Sequence, residues 1–156
     1  MGTAVKTQDP PPIYDVQTFD PHTGIGRLLS RVKMEMIEAL DRELAPFEIT
    51  AAQYVILVNL ARDGADSASA LCKGVSYDPG AMTRMLDRLE RKGLVRRTRC
   101  PQDRRRVILE LTSEGRAVYP KLVACVVPAL NRFLRGFSKA EVKQLESLLH
   151  RMLANA

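Results

Sequence analysis

The sequence predicts a mostly α-helical protein with one small β-hairpin, a winged helix-turn-helix flanked by helices at both ends. Three observations carry that reading. Apolar residues recur at the three-and-four spacing of an amphipathic helix in successive stretches. Those stretches open on cap residues and close on Gly or Pro. Only Leu94 to Arg99 and Val107 to Leu111 read as short β-compatible runs, joined by a loop with a Pro and three consecutive arginines.

A chain of 156 residues with 46% hydrophobic content has the length of one domain and enough apolar side chains for a core. No run approaches the ~18 apolar residues a membrane span needs. Met1 to Pro12 is polar and Pro-rich, unlike a signal peptide, so a cytoplasmic protein with no membrane partner is expected. Three cysteines, Cys72, Cys100 and Cys125, without a CxxC pair argue against a disulfide framework or a structural zinc site, and reduced thiols are the default. His22 and His150 lack neighbours at ligand spacing, and no nucleophile–base motif or glycine-rich phosphate loop is present. Neither a metal, nor a cofactor, nor an enzyme is expected.

Taken in order, residues 1–19 read as a mobile arm, with three prolines at Pro10 to Pro12. Asp20 with Pro21, or else Thr23, caps a long first helix whose stripe is Ile25, Leu28, Leu29, Val32, Met36, Leu40 and Leu44, ending before Pro46. Residues 20–47 are thus a first flanking segment. Residues 48–112 are the central module. In it Thr50-Ala-Ala-Gln53 is a capping box opening a second helix through Tyr54, Leu57, Val58 and Leu60 to Gly64. A short helix from Ser67 or Ser69 to Gly74 comes next. Asp78 as cap, Pro79 at the first position and Gly93 at the end then frame a helix over Pro79 to Lys92. Met82, Met85, Leu86 and Leu89 form its buried stripe, while Gly80, Arg84, Asp87 and Arg91 point the other way, with Thr83 and Arg88 on the flanks. The two helices make a helix-turn-helix whose second member is basic, and the hairpin is its wing. In residues 113–156, Thr112 caps a helix to about Arg135 that Pro120 and Pro128 should kink or break, and Ser138-Lys-Ala-Glu141 is a capping box for a last helix through Met152. The flanking stripes exceed what one subunit of this size can bury, which predicts a symmetric homodimer.

Arg84 to Arg106 carries ten Lys/Arg against three Asp/Glu, a net of +7, whereas the whole chain is +6. The charge is concentrated on the elements that read a groove, the footprint of double-stranded DNA. Arg84, with Gly80 and Thr83, is the candidate for base-edge contact, since Arg bonds guanine bidentately and Gly80 allows close approach. Arg88, Arg96, Arg97 and Arg99 are phosphate clamps or else intrachain partners of Asp87 and Glu90. Ser69, Ser76 and Tyr77 are phosphate donors, unless Ser76 or Asp78 serves only as a cap. Cys125 reads as core. Cys100 is an exposed loop thiol, or one whose pKa is lowered by neighbouring arginines. The rival reading is a winged-helix protein-interaction module whose basic face is incidental. Such a module does not need +7 on the groove-reading elements.

Three segments resemble the MarR family of dimeric winged-helix regulators: Leu86-Asp-Arg-Leu-Glu-Arg-Lys-Gly-Leu-Val-Arg-Arg, Asp103-Arg-Arg and Leu111-Thr-Ser-Glu-Gly115. The likeness runs from about Gly24 to Asn155. It implies a triangular homodimer on palindromic operators, usually a repressor, often released by small aromatic acids or by cysteine oxidation. It also implies that Arg105, with Arg104 and Arg106 beside it, enters the minor groove oriented by Asp103, and it implies an effector pocket in which Arg27 and Tyr54 are the candidates to hold an aromatic carboxylate, unless either is ordinary surface or core. The reactive cysteine of the peroxide-sensing branch, near the start of the first helix, has no counterpart here.

Overall fold

The computed structural model describes residues 11–62, 67, 68, 71, 78–101, 103 and 107–156. Their elements run α1 (Ile25–Leu44), one 3₁₀ turn (Ala45–Phe47), α2 (Ala51–Arg62), α3 (Pro79–Arg91), β1 (Val95–Arg99), β2 (Val107–Leu111), α4 (Ser113–Phe133) and α5 (Lys139–Ala154). The mostly helical chain with a two-stranded antiparallel hairpin is the predicted fold class. Gly64 and most of the short helix expected from Ser67 or Ser69 to Gly74 lie outside the described residues. Two compact units are distinguished, Met1–Glu35 and Met36–Ala156, the division falling within α1.

In the first unit, residues 13–19, within the predicted mobile arm, form a turn. Tyr14 and Phe19 meet edge to face with centroids 4.9 Å apart, and the Asp15 carbonyl accepts from the Phe19 amide at 2.8 Å. The start of α1 corrects the predicted cap. Asp20 spends its carboxylate on the His22 amide (2.8 Å) and the Thr23 hydroxyl (3.0 Å), so neither side chain reaches the helix. Instead Gly24 precedes the first turn, its carbonyl accepting from Arg27 and Leu28, and the Tyr14 hydroxyl accepts the Ile25 amide at 3.2 Å.

In the second unit the other caps form as their sequences require. Thr50 and Gln53 exchange both bonds of a capping box, at 3.1 and 3.2 Å, and the Asp41 carboxylate takes the Ala51 amide at 2.6 Å. Thr112 caps α4 through the Gly115 amide at 3.0 Å. Ser138 and Glu141 form the second full box on α5. Helix α4 runs without a break through Pro120 and Pro128. The carbonyls those prolines leave without an intrahelical donor belong to Arg116 and Ala124, both exposed residues that water can reach.

The core gathers Leu44, Ile56, Leu57, Leu71, Met82, Leu86, Leu89, Leu94, Val95, Leu109, Leu111, Leu122 and Val126. Helix α2 lies at its centre, packed on α3, β2 and α4. Apolar burial of this kind is worth about 25 cal/mol per Å² and fixes how α3 and the hairpin sit relative to α4. Other apolar residues are left outside. On α4, α5 and the loop joining them, Phe133, Phe137, Leu145, Leu148, Met152 and Leu153 are exposed, and on α1 so are Ile25, Leu28, Val32 and Ile37. No single helix among the described residues is long and apolar enough to cross a membrane.

Candidate nucleic-acid interface

The candidate interface starts with α3 and the way its two ends are held. Asp78 is extended and its carboxylate accepts from the Ala81 amide at 2.9 Å, with Pro79 filling the first helical position. At the far end Gly93 takes φ +69, a left-handed value that glycine adopts without strain. The Gly93 amide donates to Glu90 (2.9 Å) and the Leu94 amide to Leu89 (3.0 Å), the two bonds of a Schellman stop. The chain therefore turns sharply and enters β1 two residues later.

Between these ends α3 buries Met82, Leu86 and Leu89 and exposes Gly80, Thr83, Arg84, Arg88 and Arg91. Thr83 donates its hydroxyl proton to the Pro79 carbonyl at 2.9 Å, which leaves its oxygen available as an acceptor. A Cβ on Gly80 would lie 3.5 Å from the Arg84 guanidinium and 3.1 Å from the Asp78 carboxylate. The missing side chain gives that guanidinium room to extend back along the helix toward its N-terminus, where base-edge contacts are made in helix-turn-helix proteins.

The hairpin pairs Val95 with Leu111 through Arg99 with Val107, and that register gives two of its arginines carboxylate partners. Arg96 lies opposite Glu110 and donates two bonds to one carboxylate oxygen, at 2.9 and 2.7 Å. Arg97 turns to α3, where its guanidinium donates to Asp87 and to Glu90, both at 2.6 Å, and its amide donates to Glu90 at 3.3 Å. Burial works against the Arg97 charge, but those hydrogen bonds and the two carboxylate charges outweigh it and hold the guanidinium pKa above its ordinary value. So Arg97, a candidate DNA contact, and Arg96 are intrachain partners. Among the described residues none pairs with Arg84, Arg88 or Arg99, all three exposed.

The base of the wing is joined to α4. The Thr112 amide donates to the Leu94 carbonyl at 3.1 Å, the Thr112 hydroxyl donates to Gly93 at 2.5 Å, and Arg116 donates to Leu111 at 2.6 Å. Gly115 lies so close that a Cβ there would sit 2.1 Å from the Leu94 oxygen. Lys92 reaches Glu48 at 3.0 Å from the other side. An open cleft of about 520 Å³ between α3 and the wing is bordered by Thr83, Leu86, Asp87, Arg97, Val107 and Leu109.

The remaining candidates divide as follows. Asp103 is exposed and engaged in an interaction, while Ser76, Arg104, Arg105 and Arg106 lie outside the described residues, as do Ser69, Cys72 and Tyr77. Cys100 is buried, which corrects the exposed-thiol reading; a thiol packs as a small apolar group and here follows β1 inward. Cys125 is half-buried on α4. Tyr54 is half-buried on α2, and its hydroxyl pKa is raised by burial and then by Tyr119. Arg27 is exposed on α1. Among the described residues no cluster of His, Cys, Asp or Glu is placed to hold a metal ion. Sequence reasoning missed the roles of Asp41 and Gly115. The spacing of Thr112 and Gly115 was visible, but only the packed wing shows why a side chain is excluded there.

Comparison with known proteins gives a consistent result. The sequence model of the MarR family matches residues 49–107. The chain is 37% identical over 136 residues to the multiple antibiotic resistance protein MarR of Escherichia coli (strain K12), an alignment that spans 86% of this chain and 94% of that protein. A crystal structure of a cysteine-to-serine mutant of Escherichia coli MarR complexed with operator DNA matches with a TM-score of 0.74 and 37% identity, over 82% of this chain and 92% of that one. CouR from Rhodococcus jostii RHA1, bound to p-coumaroyl-CoA, matches with a TM-score of 0.74 and 32% identity, over 83% and 92%.

Proposed function

The chain belongs to the MarR family of transcriptional regulators, and on that premise we propose that it acts as a homodimeric repressor reading a palindromic operator. The observation that carries the reading is the basic face of α3: Arg84 over Gly80, with Arg88 beside it, both exposed and in no ion pair among the described residues, while Asp87 and Glu90 of the same helix are occupied by Arg97. Arg84 reads a base edge in the major groove, and Arg88 and Arg99 hold phosphates. Arg105, with Arg104 and Arg106, enters the minor groove under the guidance of Asp103, as the family resemblance implies.

Two further features support the dimer and the effector. The apolar residues left exposed on α4, α5 and the loop between them, from Phe133 to Leu153, need a partner surface, and a second copy of the chain supplies one by two-fold symmetry. The relative bound to p-coumaroyl-CoA, an aromatic acyl thioester, supports a small aromatic effector. Selection of binding sites from a random DNA pool tests the reading. Sites should be pseudo-palindromic with half-site centres about 10 base pairs apart. Recovery of sequences without symmetry, or failure to enrich any sequence, would contradict it.

A further inference from the structure

Two acidic side chains stand on the helix that faces DNA. Asp87 and Glu90 are three residues apart on α3, hence on one face, and their side chains are 48% and 40% exposed. Left alone they would repel phosphates and cancel part of the charge that Arg84 and Arg88 supply. The adjoining strand answers them. Arg97 lies two residues beyond Val95, where β1 begins, and one of its terminal nitrogens reaches both carboxylates at 2.6 Å, while its backbone amide reaches the second oxygen of Glu90 at 3.3 Å. Glu90 thus grips both the main chain and the side chain of Arg97, and the contact bridges the cleft between the recognition helix and the hairpin.

We propose that Arg97 is a positioning residue that clasps the wing to α3 and cancels charge on Asp87 and Glu90, so that it acts on DNA binding without touching DNA. The inference rests on the DNA-reading function proposed above. A hairpin of two five-residue strands is marginal by itself, and its angle to α3 decides whether the wing tip and the helix reach adjacent grooves together. A salt bridge spanning the two elements at their open edge holds that angle, where the buried contacts of Leu86 and Leu109 alone fix only the base. With 30% of its side chain exposed, Arg97 has its guanidinium turned to the two carboxylates of α3.

A double-mutant cycle on the full-length protein tests this, with Arg97→Ala, Asp87→Asn/Glu90→Gln and all three combined, titrated against a selected operator duplex at several salt concentrations. Arg97→Ala should weaken binding about tenfold, the scale of losing a hydrogen-bonded charge partner, with the salt slope held. Neutralising the two acids should weaken the protein that retains Arg97, because it breaks the same clasp, and should recover only the charge part of the loss in the Arg97→Ala background. Equal effects in both backgrounds would overturn the proposal. So would a salt slope lowered by about 0.9 per subunit, which marks a lost phosphate contact. Arg97→Lys, which keeps the charge on a side chain that ends one atom short of the guanidinium's terminal nitrogen, should fall between wild type and Arg97→Ala. Amide exchange in the free protein gives a readout that needs no DNA: Arg97→Ala and Asp87→Asn/Glu90→Gln should both speed exchange at the amides of positions 97 and 98. Wild-type protein that binds no operator would refute the proposed function alone, while unchanged exchange would refute the clasp alone.

Discussion

Replacing Gly115 with Ala adds one methyl group to the third position of α4, and propensity alone would make the variant more stable by up to about 1 kcal/mol. The packing predicts the reverse. The new carbon would lie 2.1 Å from the Leu94 oxygen and 3.0 Å from its carbonyl carbon, whereas an unstrained carbon–oxygen contact is about 3.3 Å or more. Relief needs a movement of over about 1 Å, and the obstacle is main chain that cannot rotate away. The Leu94 carbonyl also accepts the Thr112 amide at 3.1 Å, and Thr112 holds Gly93 and the cap of α4, so a shift breaks bonds at the base of the wing. Overpacking of about 1–3 kcal/mol plus about 1 for one such bond, less a propensity gain of about 1, gives a net loss of about 1–3 kcal/mol. Urea unfolding at fixed protomer concentration measures it as a lower midpoint with an unchanged slope. A midpoint equal to or above that of the parent would refute the reasoning.

Other expectations follow from the same contacts. Asp78→Ala should cost about 1 kcal/mol in urea unfolding by removing the cap of α3, and Asp78→Ser should restore most of it. Arg84→Ala should flatten base preference at one position of each half-site, an effect of ~1–3 kcal/mol on the discriminating pair that a competition titration resolves. Asp103→Ala should weaken operator binding even though it removes a negative charge near DNA; tighter binding would show that the wing acts by charge alone. Deleting residues after Phe137 should yield monomeric or aggregated protein by sedimentation, since it removes the apolar face of α5. The Glu141 carboxylate, bonded to the Ser138 amide and hydroxyl at 2.7 Å each, has its pKa lowered in the fold. A group depressed in the folded state stabilises fully above its unfolded value and loses that effect as pH falls through the folded one. Helix α5 should therefore loosen only in acid below the ordinary glutamate range, and Ser138→Ala should abolish that acid transition in residue-resolved chemical shifts.

The elements were legible where local chemistry decides them. Asp78-Pro79 and Gly93 framed α3 to within a residue, Thr50 with Gln53 and Ser138 with Glu141 announced their boxes, and the hairpin strands began and ended almost where β-propensity placed them. The start of α1 was misread because two possible caps, Asp20 and Thr23, bond to each other, a competition that composition does not reveal. Pro120 and Pro128 were expected to kink α4 or break it; the helix is not broken at either, and Leu122 and Val126 between them pack in the core. For the interface, the sequence identified the basic face and left the arginines of β1 undecided between DNA and Asp87 or Glu90. Strand register decides that question, because whether Arg96 meets Glu110 and Arg97 meets α3 depends on which face of the hairpin each occupies. The apolar stripes announced the residues left exposed on α1, α4 and α5, whereas the geometry of a surface that covers them is a property of two chains rather than one.

The central claim is that this face reads sequence rather than charge. Fluorescence anisotropy of one labelled duplex, competed by the selected operator and by a scrambled duplex of equal length and composition near physiological salt, measures it directly. The account predicts that the operator competes at least ~10³-fold better, and that Arg84→Ala removes much of that ratio while retaining salt-dependent binding to both. Equal competition by the two duplexes with wild-type protein would contradict it.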